Sequence, residues 1–524
     1  MTYNPLQWTI NFFLTAGTPI ILVLSFPPYN LSFIIFIAFI PLFYLLFIKK
    51  IRFPLLWSYA AGILYYALLL SWTGKFHYLS VPFISTVSGL FYFAAPLWLS
   101  GKIIERAGAK AGFFTVPSLW VLSEYLKTKG PLSFAFGIIG YSQHNNPAII
   151  QAADIFGVYG ISFIIILVNY LGAYALEYLM KQREINFKKE LLIPLSITSS
   201  IILAMIIYGQ IKLRVRVIEE DLAIHIIQTD HDNKGPWIEH MDSYLREYGD
   251  ALTSLAGKGF DLAVLPENSV KTYLSLDRDF QPDKSVQILN SLSSLAKANN
   301  ISLLFGGLEA DKNEGRINTY NTAFLFDRQG NLSGRYRKRV LVPFGEVNPF
   351  GELLPQVDVI LLRDTGAIRL TAGSNEKIMK ITGRNGSEYR FGVAICFEGT
   401  GGGLLRGYAL KGADFIVNIT SDRWTQSKTA LEQHALFGVF RAIEYRLAYY
   451  RCGNGGISSV IDPLGRIVKE LTPFKKETME SRLLRLKDYD ITLYALYGDW
   501  IIYLCMAFVI ITVIKIKKRR GSGG

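Results

Sequence analysis

The chain has 524 residues, 50% of them hydrophobic, and 55 Lys and Arg against 42 Asp and Glu leave a net charge of +13. That average admits a large soluble fold or a membrane protein, so the distribution along the chain must decide. Three cysteines cannot build a disulfide framework, and six histidines without spaced His or Cys pairs argue against a metal site.

Apolar runs of bilayer length, about 18–20 residues, occur at 8–25, 31–48, 54–73, 81–100, 158–179, 191–209 and 497–514, and a weaker one at 111–126 contains Glu124. These predict eight membrane helices, seven before a polar block at 220–490 and one after it. The first run lacks a basic leader and further runs follow directly, so it reads as a retained span rather than a cleaved signal. Every even-numbered span exits into basic residues: Lys49, Lys50 and Arg52; Lys102, Arg106 and Lys110; Lys181, Arg183, Lys188 and Lys189; and Lys515, Lys517, Lys518, Arg519 and Arg520. The opposite loops hold only Lys75, Lys127 and Lys129, apart from Lys212, Arg214 and Arg216 ahead of the long block, which translocates largely regardless of them. Both termini are therefore expected in the cytoplasm and the block outside. Topology explains the positive charge, and nucleic acid need not be invoked. The expected division is 1–215 for a bundle, 220–490 for an outer domain, and 495–518 for a last helix with its basic tail.

Within the block the pattern changes to short strands alternating with amphipathic helices. Strands are predicted at LAIHIIQT, DLAVLPE, ISLLFGGLE, YNTAFLFDRQG, YRFGVAICFE, GADFIVNIT and GGISSVIDPLGRIV, and helices at 237–256, 284–299 and 427–447. FDRQGNL and IDPLGRI suit hairpin turns. Alternating buried strands and helices predict an α/β layered domain.

Three pieces of the block carry chemistry: LAVLPEN, GRYRKRVLVPFGE and FGVAICFEG. They place a carboxylate (Glu267), an amine (Lys338) and a thiol (Cys396) near the ends of strand-like runs. A thiol is mostly protonated at neutral pH and needs a base to act as a nucleophile. Glu267 offers that base, and Lys338 offers a fixed positive charge for the oxyanion that forms when a carbonyl is attacked. Glu346 and Glu398 stand ready to tune the Lys and the proton traffic. Taken singly, Glu267 reads as an ordinary carboxylate after a strand, Lys338 as part of a solvated basic face, and Cys396 as a core thiol; the three in order change that reading. Cys452 and Cys505 read as structural, His434 as a hydrogen-bonding residue at a helix start, and Arg337 and Arg339 as surface groups or contacts to phospholipid head groups.

The order Glu267, Lys338 71 residues later and Cys396 58 further on, with LVPFGE after the Lys, resembles the nitrilase superfamily. FPPYN, Trp120 with Glu124, GYSQ, GVYGISF, the Gln433–His434 pair, RAIEYR and YGDW, together with flanking apolar spans, are similar to its membrane-embedded branch, the apolipoprotein N-acyltransferases. The resemblance implies a transmembrane bundle carrying an extracytoplasmic αββα sandwich in a bacterial inner membrane. It also implies acyl transfer from a phospholipid to the amine of a diacylglyceryl-cysteine lipoprotein through a Cys396 thioester, with no cofactor and a monomeric enzyme. Glu267 would be the base, Lys338 the oxyanion stabiliser, and Glu346 and Glu398 supporting groups. Trp424, Phe344, Phe397, Glu124 and Tyr141 are the candidate substrate contacts. Phe397 stands where the family usually has Tyr, SDRWTQ where it often reads N-D-x-W-F-G, and Phe134, Ala135 and Phe136 where relatives often read F-P-W. The alternatives are a membrane-tethered amide hydrolase, in which water resolves the thioester, and a catalytically silent scaffold subunit.

Overall fold

A computed structural model describes residues 5–180, 191–231, 237–276, 284–313, 316–365, 369–374, 377–488 and 490–521. The basic run at Lys181, Arg183, Lys188 and Lys189 lies outside the described residues. The chain forms two compact units, Met1–Arg214 with Tyr497–Gly524, and Val215–Leu496.

The first unit is helical. Among the described residues, four helices are long and apolar enough to cross a membrane: Leu6–Leu24, Ser80–Ala107, Ala153–Tyr178 and Ile193–Leu213. Shorter apolar helices run over Ser32–Ile48 and Pro54–Leu69, and further helices over Gly112–Lys127 and Ile501–Gly521. Small residues let two of them touch: a methyl on Gly62 would sit 2.8 Å from the Gly89 carbonyl oxygen. Pro41 has no amide hydrogen, and the Ser32–Ile48 stretch breaks beside it at Phe39. Asn169 mends the break, accepting the Phe39 N–H at 2.8 Å and donating to the Ile35 carbonyl at 2.8 Å. Glu124, 2% exposed, accepts from Trp120 Nε1 at 3.0 Å and the Ile139 N–H at 2.8 Å, so it fixes the turn Ile139–Gln143 that contains buried Tyr141.

The second unit is α/β. Its strands are β1 Val217–Gln228, β2 Leu262–Val264, β3 Val270–Leu274, β4 Ser302–Asn313, β5 Arg316–Phe326, β6 Leu332–Arg337, β7 Met379–Thr382, β8 Glu388–Ile395, β9 Phe415–Ser421, β10 Ala448–Asn454, β11 Ser459–Ile461, β12 Ile467–Glu470 and β13 Glu477–Leu486. One sheet has the order β13-β1-β2-β4-β5-β6 with β3 beside β4, and the other β12-β11-β10-β9-β8-β7. Pairing is parallel through β1, β2 and β4 and again through β8, β9 and β10. Buried parallel strands carry near-continuous apolar runs, which is why these were legible in the sequence.

Leu222, Ile224 and Ile226 of β1 and Val264 of β2 share one buried cluster with Phe391 and Val393 of β8 and Val417 of β9, so the two sheets pack face to face. Each such side chain contributes about 1.5–3 kcal/mol on burial. The outer face of the first sheet is covered by helices Met241–Thr253 and Ser285–Ala298 through Leu252, Ile288 and Leu292. On the second sheet, Tyr408 of helix Gly402–Leu410 donates its hydroxyl to the Val393 carbonyl at 2.8 Å, and Gly438 of helix Phe437–Tyr445 lies against Tyr449.

Two predicted helices are subdivided. A tight turn, Trp237–His240, precedes Met241–Thr253, and 427–447 is split between Lys428–Ala435 and Phe437–Tyr445. The apolar stretch 351–362 forms a turn at Gly351–Leu353 and enters a helix, Gln356–Thr365, with Leu353, Val359 and Ile360 exposed.

Candidate active site

Cys396 follows β8 without a spacer at φ 52°, a left-handed conformation that a non-glycine residue keeps only when its surroundings hold it. The chain turns there into Cys396–Thr400, leaving the free thiol half-buried at the strand's carboxyl end. Glu398 supplies the hold. Its Oε2 accepts the Ile395 N–H at 2.8 Å, and its Oε1 accepts the Tyr336 hydroxyl at 2.8 Å and the Arg339 and Val340 amides at 2.7 and 3.1 Å. One buried carboxylate thus clamps the Cys turn to the segment bearing Lys338.

Glu267 lies three residues beyond β2 and is 3% exposed. Its Oε1 accepts from Asn321 Nδ2 at 2.7 Å and its Oε2 from the Ser421 N–H at 2.8 Å. β4 passes close behind it, because a methyl on Gly306 would meet Glu267 Cα at 2.7 Å. Lys338 is fully buried just after β6, donating to Glu346 Oε1 at 2.8 Å and standing 3.5 Å from Glu267 Oε1. Glu346 is fixed in turn by the Val342 N–H at 2.9 Å.

These contacts set the charges. Burial alone would lower the Lys338 ammonium, but the Glu346 and Glu267 carboxylates hold it well above the usual lysine range. Burial raises Glu267, with Lys338 pulling the other way, and so makes it a stronger base than an exposed carboxylate. Burial, reinforced by Glu267, pushes the Cys396 thiol well up. The site at rest therefore holds a neutral thiol beside a buried carboxylate and a buried ammonium.

A second network meets the same sulfur. Thr420 donates its hydroxyl to Asp422 Oδ1 at 3.0 Å, and a carboxylate oxygen of Asp422 lies within 4.8 Å of Cys396 Sγ. Oδ1 also lies 2.9 Å from His434 Nδ1, while Arg451 Nη2 donates to Oδ2 at 2.6 Å. Burial would raise the Asp422 carboxyl, but His434 and Arg451 outweigh it and hold it far below the usual range. Cys396, Asp422 and His434 each bring a ligand atom within 4.8 Å of the others, the one such group among the described residues that could hold a metal ion. With Arg451 and His434 already on the carboxylate, the group reads as a hydrogen-bonded network.

The sequence-predicted Glu267, Lys338, Cys396, Glu346 and Glu398 thus converge. Phe397 is 8% exposed, Phe344 is half-buried at φ 63° with its ring 5.9 Å from Phe350, and Trp424 is 40% exposed on the turn Arg423–Thr425. Glu124 and Tyr141 belong to the helical unit. Arg337 is engaged by Glu309 and Asp311 and lies 3.7 Å over the Tyr320 ring, which makes it part of a structural ion-pair cluster. Asn321, Thr420 and Arg451 went unrecognised in the sequence; the available signal was a polar side chain interrupting an apolar strand in NTAFLF, NITSD and YYRCG.

A thiol, a carboxylate and a fixed ammonium at adjoining strand ends have the chemistry for acyl transfer through a covalent thioester that forms and is then resolved. Comparison with known proteins agrees in kind. A family model for the apolipoprotein N-acyltransferase N-terminal domain matches residues 19–171, and one for carbon-nitrogen hydrolases matches 226–485. Apolipoprotein N-acyltransferase 1 of Treponema denticola is 30% identical over 97% of this chain and 96% of its own length. The Geobacter metallireducens apolipoprotein N-acyltransferase is 29% identical over 95% and 93%. Among solved structures, a Saccharomyces cerevisiae member of branch 10 of the nitrilase superfamily is 21% identical, covering 50% of this chain and 89% of its own, with a TM-score of 0.38.

Proposed function

The chain belongs to the apolipoprotein N-acyltransferase family, and from that premise we propose that it moves a fatty acyl chain from a phospholipid to the N-terminal amine of a diacylglyceryl-cysteine lipoprotein. The observation that carries this reading is the buried Lys338 ammonium, 2.8 Å from Glu346 and 3.5 Å from Glu267, acting on the Cys396 thiol. In the first half-reaction Glu267 takes the thiol proton as Sγ attacks the ester carbonyl carbon. Lys338 stabilises the oxyanion. The C–O bond breaks, Glu267 returns the proton to the departing oxygen, and a lysophospholipid leaves a thioester on Cys396. In the second, the acceptor amine attacks that thioester, the C–S bond breaks, and the thiol is regenerated. Glu346 keeps Lys338 charged, and Glu398 positions the two segments.

The remaining assignments follow the same premise. Residues 1–215 form a membrane bundle, 220–490 the catalytic domain and 495–518 a final span, giving eight spans with both termini in the cytoplasm and a monomer whose catalytic domain lies outside the inner membrane. The division into Met1–Arg214 with Tyr497–Gly524 and Val215–Leu496 supports the boundaries, and the basic exits support the orientation. Phe344, Phe397 and Trp424 are assigned to the acyl pocket, and exposed Leu353, Val359 and Ile360 to contact with lipid. Glu124 and Tyr141 remain candidates for a head-group contact, although the bonds Glu124 makes to Trp120 and Ile139 give it a structural task already.

The test supplies pure enzyme with acyl-labelled phospholipid and a diacylglyceryl lipopeptide. Transfer predicts label in the N-acyl peptide in equal amount to lysophospholipid. Label released only as free fatty acid would instead make the protein a hydrolase.

A further inference from the structure

Given the acyl transfer proposed above, the acceptor makes a chemical demand that Glu267 meets only in part. An α-amine has a pKa of about 7.7–8.0, so near neutral pH it arrives largely as an ammonium. Two protons must leave its nitrogen, one before attack because an ammonium has no lone pair, and one as the tetrahedral intermediate becomes an amide. The thiolate that departs takes one of them, by way of Glu267. The other leaves either to solvent, from the minor fraction of amine that arrives unprotonated, or to a second acceptor beside the thioester, which lets the ammonium form react as well.

His434 stands at that position, a ring nitrogen lying within 4.8 Å of Cys396 Sγ. Nδ1 lies 2.9 Å from Asp422 Oδ1 and 3.1 Å from Arg451 Nη2; with its N–H directed to the carboxylate, Nε2 is the nitrogen left to take a proton. Asp422 is buried and anchored on its other oxygen by Arg451 at 2.6 Å, which fixes the ring and places a negative charge where an imidazolium would form. The ring is 11% exposed at its edge, and Nε2 itself is buried. The charged and titratable groups facing it are Asp422 after β9, Arg451 of β10 at 3.1 Å and Cys396 after β8, with Glu267 and Lys338 acting on the same thiol.

We propose that His434, oriented by Asp422, is the catalytic base that takes the first proton from the acceptor ammonium. Nε2 takes that proton, and the freed lone pair attacks the thioester carbonyl carbon. As the carbonyl re-forms the C–S bond breaks, the remaining N–H proton passes through Glu267 to Sγ, and the imidazolium gives its proton to solvent. The acylation step, which involves no amine, has no use for this base.

The experiment loads full-length enzyme with acyl groups from phospholipid and follows single-turnover loss of the thioester on mixing with lipopeptide or with hydroxylamine, an amine already unprotonated at neutral pH. His434→Asn keeps a donor toward Asp422 without a base, and His434→Gln serves as a second variant. At neutral pH both are expected to slow lipopeptide aminolysis at least tenfold more than acylation, and raising the pH restores the rate. Hydroxylamine should discharge the variants close to the wild-type rate. Equal slowing of both half-reactions, slow discharge by hydroxylamine, or wild-type aminolysis would each overturn the assignment. Wild-type enzyme that acylates but releases only fatty acid would sink the transferase reading instead, a separate outcome.

Discussion

Replacing Glu267 by Gln keeps the volume of a side chain packed against β4 while removing its capacity to take a proton. Both carboxylate oxygens are in use, Oε1 facing Asn321 Nδ2 at 2.7 Å and Lys338 Nζ at 3.5 Å, and Oε2 facing the Ser421 N–H at 2.8 Å. An amide offers one acceptor, so its NH₂ must face either an ammonium or the Ser421 N–H. The second arrangement costs less, about 1–3 kcal/mol for a buried donor left unsatisfied. The larger loss is chemical, because a positioned general base contributes about 10²–10⁴-fold. The thiol, already raised by burial, then loses the carboxylate proposed to take its proton during attack. Together these predict thioester formation slower by about 10³-fold or more, roughly 4 kcal/mol in the barrier. Single-turnover acylation by a phospholipid, quenched and read by intact mass, measures it. A Glu267→Gln enzyme acylating within tenfold of wild type would refute the assignment of the base.

Glu346 raises Glu267, so Glu346→Gln should let the Glu267 carboxyl fall. The base works when ionised, so the acid limb of the acylation rate moves to lower pH, and a pH profile that stays put or moves up contradicts the coupling. Gly306→Ala would force a methyl to within 2.7 Å of Glu267 Cα; displacement of the base by a fraction of an ångström should cost about 10–100-fold in kcat with a smaller change in KM. Cys452 is fully buried in β10 with Sγ 3.4 Å from the Ile227 and Val264 carbonyls. Cys452→Ala should cost about 1 kcal/mol of stability, lowering the melting temperature in detergent slightly, and leave one acyl group bound per protein.

What the sequence disclosed and what it hid divide along physical lines. Glu267 and Cys396 were visible because each follows a buried parallel strand closely, so that an apolar run stops abruptly near a functional group. Lys338 was disguised: RYRKR has the composition of a solvated face, yet Tyr336 and Lys338 point inward while Arg335 and Arg337 are drawn across β5 to Glu309 of β4. Strand alternation allows this, but nothing local says which parity is buried. β3, β6, β7 and β13 were not foreseen, and β10 only at its RCGN end, the charges of β6 and β13 hiding their strand character. The Asp422, His434 and Arg451 network could not be read from spacing, since its members come from a strand end, a helix and another strand, and only the β9–β10 register brings them together. Even so, a Glu or Arg inside an apolar run is costly unless partnered, and that cost is the general signal that such residues belong to a network.

The most direct measurement is intact and peptide mass spectrometry of the enzyme after exposure to phospholipid, comparing wild type with Cys396→Ala. The account predicts a fatty-acyl increment on the peptide containing Cys396, absent from the variant and discharged by a diacylglyceryl lipopeptide. An increment that persists in Cys396→Ala, or a wild-type enzyme that transfers acyl groups without ever carrying one on that sulfur, would contradict it.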